Sequence, residues 1–257
     1  MSFDGFDDEL WDEFKWEAHL NEVEQKSEQL RKFIASDTAD IKGNVPRWVT
    51  LLKESLSEVD AYEAFVEEEL LMDEAYFPED DDDWEDEDEW DDEDFLFGEY
   101  DEFMDMEEGE EEDFDAGEEW KELSEAFTYS EYGSLENLKP YNDAKELSVA
   151  MLKWTEKIPQ DLHSPVFQQC IDEVLKIGAK LAGGYSFGFE PEYIGANIAY
   201  SKKALTFANT GLSLLQQLKS ASYFDQSMYQ QFHGRLFELR NDIGVHIQEL
   251  RDQFNAI

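Results

Sequence analysis

Between Asp80 and Asp115 the chain reads DDDDWEDEDEWDDEDFLFGEYDEFMDMEEGEEEDFD, with no lysine or arginine. Residues 79–119 hold 27 acids in 41 positions. Like charges at that density repel one another along any regular structure, and no cation offsets them. The segment therefore cannot bury a core of its own and is expected to be largely disordered in isolation. The core of this 257-residue chain must come from the residues on either side.

The charge is local. Residues 141–257 carry 11 Lys/Arg and 13 Asp/Glu, whereas residues 1–140 carry 9 and 52. Adaptation to high salt would acidify the whole surface, which the nearly neutral second half excludes. A field confined to one half points to partners. It also argues against direct nucleic-acid binding by the acidic half, because phosphates would be repelled. Hydrophobic residues make up 41% of the chain, enough for a core elsewhere.

The single cysteine, Cys170, cannot form an intrachain disulfide and fits a reducing compartment. The start, MSFDGFDDELWDEF, lacks the basic and apolar regions of a secretory signal. No apolar run approaches the ~18 residues of a membrane span. The expectation is a soluble, cytoplasmic protein.

Periodicity assigns helices to both flanks. After a loose acidic start over residues 1–9, Leu10, Phe14, Leu20, Val23, Leu30 and Ile34 fall near one helical face, up to the turn at Gly43-Asn44. Pro46 opens a second helix, which Val49, Leu52, Leu56, Val59, Val66 and Leu70 carry to about Leu71. The two read as an antiparallel hairpin that must dock on something larger, since two helices bury little area. Residues 117–128 predict a short helix bearing Trp120, Leu123 and Phe127, followed by a linker punctuated by Gly133 and Pro140.

Four helices follow. Asn142 or Asp143 caps the first, which carries Leu147, Met151, Trp154 and Ile158. Ser164-Pro165 starts the second, which carries Phe167, Cys170, Ile171, Val174, Leu175 and Leu181 and stops at Gly183-Gly184 before a loop, GGYSFGFEPEY. The third spans roughly Glu192 to Ser220. Asp225 caps the last, whose stripe Met228, Phe232, Leu236, Leu239, Ile243, Ile247, Leu250 and Phe254 is a near-heptad, coiled-coil-like seam. The fold class is all-α: a C-terminal four-helix bundle (141–257) and an N-terminal helical hairpin (1–77), joined by a largely disordered acidic arm (78–119) and a short helix with linker (120–140).

No nucleotide-binding motif occurs, and the glycine-containing loop GGYSFG at 183–188 is not GxGxxG. It reads as a helix end with Tyr185, Phe187 and Phe189 packed on the bundle. The Glu-x-x-His pairs of di-iron bundles are absent; the reverse order occurs at His19/Glu22 and His246/Glu249. Glu238, Asp242 and His246 share a stripe on the last helix, which reads as a solvated flank without a second ligand set, so no metal or other cofactor is expected. Cys170 sits on an apolar helix face between Phe167 and Val174, as a small hydrophobe would, and His163 lies in a polar turn.

Arg240-Asn241-Asp242-Ile243-Gly244-Val245-His246 resembles the Arg-x(4–6)-His signature of the HEPN superfamily, α-helical bundles that are often ribonucleases. The resemblance covers seven residues and the helical-bundle class. It implies an alternative function, a HEPN-like ribonuclease or toxin-type protein, in which Arg240 and His246 act on the scissile phosphate and Asn241 is the polar residue that commonly follows the Arg. Regular helical geometry opposes it, because positions six apart point about 120° away from each other.

The acidic arm carries the strongest functional signal. Trp84, Trp90, Phe95, Phe97, Tyr100, Phe103 and Phe114 are threaded among its acids. A solvating tail accounts for the acids but not the aromatics. A further alternative is a DNA-mimic inhibitor that occupies a nucleic-acid-binding protein's site, which needs carboxylates at fixed, phosphate-like spacing on a rigid surface. An arm that binds a basic protein uses both residue types: carboxylates attract Lys and Arg over distance, and aromatics anchor in apolar pockets or under guanidinium groups. In composition it is similar to the acidic arms of histone chaperones. The expected role is non-enzymatic, binding, shielding or regulating a basic protein partner. Trp84, Trp90, Phe95, Phe97, Tyr100 and Phe103 are the anchors, and Asp80, Asp81, Asp82, Asp83, Glu85, Asp91 and Asp92 belong to the attracting field. Whether the arm binds in trans or latches on its own bundle, and the oligomeric state, stay open at this level.

Overall fold

The computed structural model of the chain describes residues 11–38, 45–74, 129–130 and 133–256. The arm at 78–119 and the short helix expected over 117–128 lie outside them. The described helices are α1 (Glu13–Thr38), α2 (Arg47–Glu54), α3 (Glu58–Glu74), α4 (Lys139–Thr155), α5 (Pro165–Phe187), α6 (Ile194–Leu218) and α7 (Gln226–Asn255). Strand is confined, among the described residues, to a two-residue antiparallel ladder of β1 (Tyr129–Ser130) with β2 (Gly133–Ser134). It stands where the sequence reads as linker, and Gly133 supplies the positive φ of 109°.

Helices α4 to α7 form the four-helix bundle, each packed on its neighbours in sequence, with α4 closing the ring against α7. The predicted seam of α7 holds: Phe232, Leu236, Leu239, Ile243, Ile247 and Leu250 are buried, with Met228 and Phe254 partly covered at its ends. They meet Leu147 and Met151 of α4, Ile171, Val174 and Leu175 of α5, and Ala204, Ala208 and Leu215 of α6 in one core. Fully burying a side chain of this size stabilises the fold by about 1.5–3 kcal/mol. Ser164 and Asp225 cap α5 and α7 as expected: the Phe167 N–H donates to Ser164 Oγ at 3.2 Å, and the Met228 N–H to Asp225 Oδ1 at 2.8 Å.

Three helix boundaries differ from expectation. First, α5 does not stop at Gly183-Gly184 but runs on to Phe187, where Gly188, at φ 90°, ends it. The two glycines serve contact, not termination. A Cβ at Gly183 would lie 2.8 Å from the Tyr200 ring, and one at Gly184 3.0 Å from Asn197 Oδ1, so their absence lets α5 and α6 approach closely. Second, α4 starts at Lys139, with Pro140 in its first turn, and neither Asn142 nor Asp143 is its N-cap. Asn142 instead donates its side-chain amide back to the Glu136 carbonyl. Third, the helix expected from Pro46 to Leu71 is broken at residues 55–57. Ser57 Oγ accepts from the Asp60 N–H at 3.2 Å and donates to its carboxylate at 2.9 Å, a reciprocal cap that restarts the chain as α3. Leu56, placed by periodicity on the apolar face, is fully exposed in that break.

The N-terminal helices lie on the bundle. Tyr62 of α3 sits over Gly178 and Leu70 over Gly183, so α3 runs in the same direction as α5. Trp16 of α1 packs near Gly195, while Glu24 reaches Lys203, so α1 runs with α6. Because α5 and α6 are antiparallel neighbours, α1 and α3 are antiparallel too. They touch each other, but each rests mainly on the bundle. The face that α1 buries is Trp16, Leu20 and Val23; Phe14 is 66% exposed and has the Lys202 ammonium 5.0 Å from its ring centre.

Aromatic side chains close both ends of the bundle. At one end Trp154 meets Phe224, Phe167 and Phe232 with ring centres 4.5, 5.4 and 5.4 Å away. At the other, Phe187 stands between Trp16 and Tyr200 at 5.3 and 5.5 Å. The pairs of Trp154 with Phe224 and Phe232 and of Phe187 with Trp16 are edge-to-face, an arrangement that adds about 0.5–1.5 kcal/mol each beyond buried area.

Candidate functional site

The partner-binding candidates Trp84, Trp90, Phe95, Phe97, Tyr100 and Phe103, with the acids Asp80 to Asp83, Glu85, Asp91 and Asp92, lie outside the described residues. The residues that flank the segment are held firmly. On the N-terminal side, the last turns of α3 bury Asp73, which accepts from Lys180 of α5 at 2.5 Å. Burial raises the Asp73 carboxyl above its ordinary pKa, against the pull of Lys180. On the C-terminal side, the Tyr185 hydroxyl donates to the Gly133 carbonyl at 3.2 Å and lies 3.4 Å from that of Ser134. The 3-10 turn Leu135–Asn137, capped by Ser134, then leads into α4.

The body spends its cations on its own N-terminal acids. Lys145 and Lys153 of α4 meet Glu63 and Glu58 of α3 at 2.7 and 4.0 Å. Lys202 and Lys203 of α6 meet Glu17 and Glu24 of α1, the latter at 2.6 Å. Arg251 of α7 holds Glu13 with two hydrogen bonds, at 2.7 and 2.8 Å, and that hydrogen bonding pulls the Glu13 carboxyl below its ordinary pKa. Together with Lys180, six of the 11 cations of residues 141–257 thus face carboxylates of α1 or α3. Linear sequence cannot show these pairs, because their members lie 82 to 238 positions apart.

The predicted catalytic alternatives are placed on a regular helix. Arg240 donates to Asn209 of α6 and to Asn241, each at 3.1 Å. His246 is buried on the other side of the Leu239–Ile243 seam; Asp242, one turn before it, pairs with Lys139 at the start of α4. The Arg240 and His246 side chains thus leave α7 about 120° apart, with the core seam between them. Burial holds the His246 ring below the usual histidine pKa.

Among the described residues no three His, Cys, Asp or Glu side chains converge closely enough to hold a metal. Asp242 is engaged by Lys139, and Glu238 is exposed. His19 packs edge-on to Trp11 and Trp16. Cys170 is completely buried, which pushes its thiol up to about 12 and withholds the thiolate. His163 lies 3.2 Å from the Ile158 carbonyl and stacks against Phe167. An open groove of about 560 Å³ lies between α3, α4 and α7, with Val59 and Val149 in its lining and Lys145, Lys153 and Arg235 around them. Each of these cations faces a glutamate, and the one carboxylate in the lining, Glu146, pairs with Arg235 at 3.4 Å.

Comparison with family models, with curated proteins and with solved structures found no match. Among the described residues, no helix is long and apolar enough to cross a membrane.

Proposed function

We propose that this chain is a non-enzymatic acidic interaction protein that binds, shields or regulates a basic protein partner through the segment 79–119. The observation that carries the reading is a mismatch of charge. The segment presents 27 carboxylates, and residues 141–257 hold 11 cations in all, six of which already face α1 or α3. Even if all 11 turned to the segment, 16 of its 27 acids would find no counter-charge on the bundle. That favours a partner in trans over a latch on the protein's own bundle. The threaded aromatics give such a partner short-range anchors, and the carboxylates give long-range attraction.

A pull-down from native extract, with the full chain and with a variant lacking residues 79–119, tests this. Retention of basic proteins by the full chain alone supports the reading. Equal retention by both overturns it.

A further inference from the structure

The outward face of α7 is unlike the rest of this chain. Gln230, Gly234, Phe237, Asn241, Gly244 and Gln248 follow one another at spacings of 4, 3, 4, 3 and 4, a second seam turned away from the core. It carries no charge, in a chain whose net charge is −45. Phe237 is 49% exposed, and Val245, on the flank of this face one turn after Asn241, 58%. Both glycines stand inside a long helix, where glycine is a poor helix former, and an added Cβ at either would meet nothing within 4 Å. Packing within the chain therefore does not call for them, in contrast to Gly183 and Gly184.

We infer that this face pairs with the same face of a second copy of the chain, antiparallel about a two-fold axis beside Asn241. Three features point to a copy of this chain. An antiparallel pair about that axis seats Phe237 of each copy over Gly244 of the other, a large side chain against the gap where a Cβ is missing. It brings the two Asn241 side chains together; each Oδ1 accepts from Arg240 and leaves the amide N–H groups to donate across the axis. And two chains of this net charge can approach closely only where neither presents an acid. The seam from 230 to 248 is about 27 Å long and one helix wide. That is less than the ~800 Å² per partner of a standard interface, so the pairing is weak and concentration-dependent.

Its salt dependence has the opposite sign to that of the segment 79–119. Salt screens the repulsion between two like-charged copies, so self-association tightens; it also screens the attraction of a basic partner, which weakens. The test is sedimentation equilibrium of the full chain at about 10–200 µM, at 0.15 and 1 M salt, where the screening length falls from ~8 to ~3 Å. The expected result is a monomer–dimer equilibrium that tightens at least about threefold at the higher salt. Phe237→Gln, which leaves charge unchanged at an exposed position, should weaken it about tenfold or more. An Asn241→Cys variant should oxidise to a covalent dimer, since the native Cys170 is buried. A monomer throughout, or a dimer that Phe237→Gln leaves unaltered, would overturn the inference.

Discussion

Lys180 and Asp73 are joined at 2.5 Å, with only 9% and 8% of their side chains exposed. The pair ties α3 to α5 one residue before the described part of the N-terminal region ends. The Lys180 ammonium also lies 5.7 Å from the centre of the Tyr200 ring. Removing one member strands the other's charge in the interior, which typically costs about 3–5 kcal/mol. Lys180→Ala should therefore lower the free energy of unfolding by that amount in urea titrations. Replacing both residues with apolar ones of similar volume, Lys180→Met with Asp73→Leu, should recover most of the loss.

Glycine at 178 is a contact requirement. A Cβ there would fall 1.8 Å from the hydroxyl oxygen of Tyr62, whose side chain is wholly buried and cannot swing aside. Gly178→Ala should cost about 1–3 kcal/mol by overpacking. Combining it with Tyr62→Phe should restore part of the stability, and thermal unfolding of the single and double variants checks this.

The first turn of α1 should detach before the bundle unfolds. A Cβ at Gly195 would lie 2.5 Å from the Trp11 carbonyl oxygen, so Gly195→Ala must push the chain away there. Glu13→Gln removes the charge held by Arg251, whose side chain is 39% exposed; allowing for that solvent, the loss is about 1 kcal/mol. Either variant should shift tryptophan emission to the red, because Trp16 loses its cover, while helical circular dichroism falls only slightly.

Acid should destabilise the fold through its histidines first. Burial lowers the His246 pKa below its ordinary 6.5, and it lowers that of His19 in the same way. The unfolded chain then binds more protons than the folded one, so stability is full above about pH 6.5 and falls as pH drops through the folded-state values. Glu13, whose pKa is lowered from 4.5, adds a second loss below pH 4.5. Asp73, with its pKa raised by burial, works the other way between its ordinary value and its folded one. His246→Gln should flatten the slope of stability against pH between 7 and 5, measured by urea titration at each pH.

The bundle was legible in the sequence because its helices carry strong apolar stripes and explicit caps, as at Ser164 and Asp225. What misled was residues with two uses. Gly183-Gly184 reads as a helix stop, yet the pair stands where an added Cβ would press on Tyr200 and Asn197 at 2.8 and 3.0 Å. Leu56 keeps the apolar period through a break that the Ser57–Asp60 cap imposes. Phe14 looks like the core residue of α1, but Trp16, two positions on, is the one buried. The acid–base pairs that dock α1 and α3 join distant positions, and no local pattern marks them. The candidate site itself rests on composition, from which the proposed class of partner is inferred and which carries no geometry.

The central claim is most directly tested by titrating a lysine- and arginine-rich peptide into the full chain by calorimetry. The comparison is a variant in which Trp84, Trp90, Phe95, Phe97, Tyr100 and Phe103 are serine and every acid is kept. The account predicts saturable binding that weakens steeply with salt and falls about tenfold or more in the variant. Binding of equal strength by both chains, or none by the full chain at low salt, would contradict it.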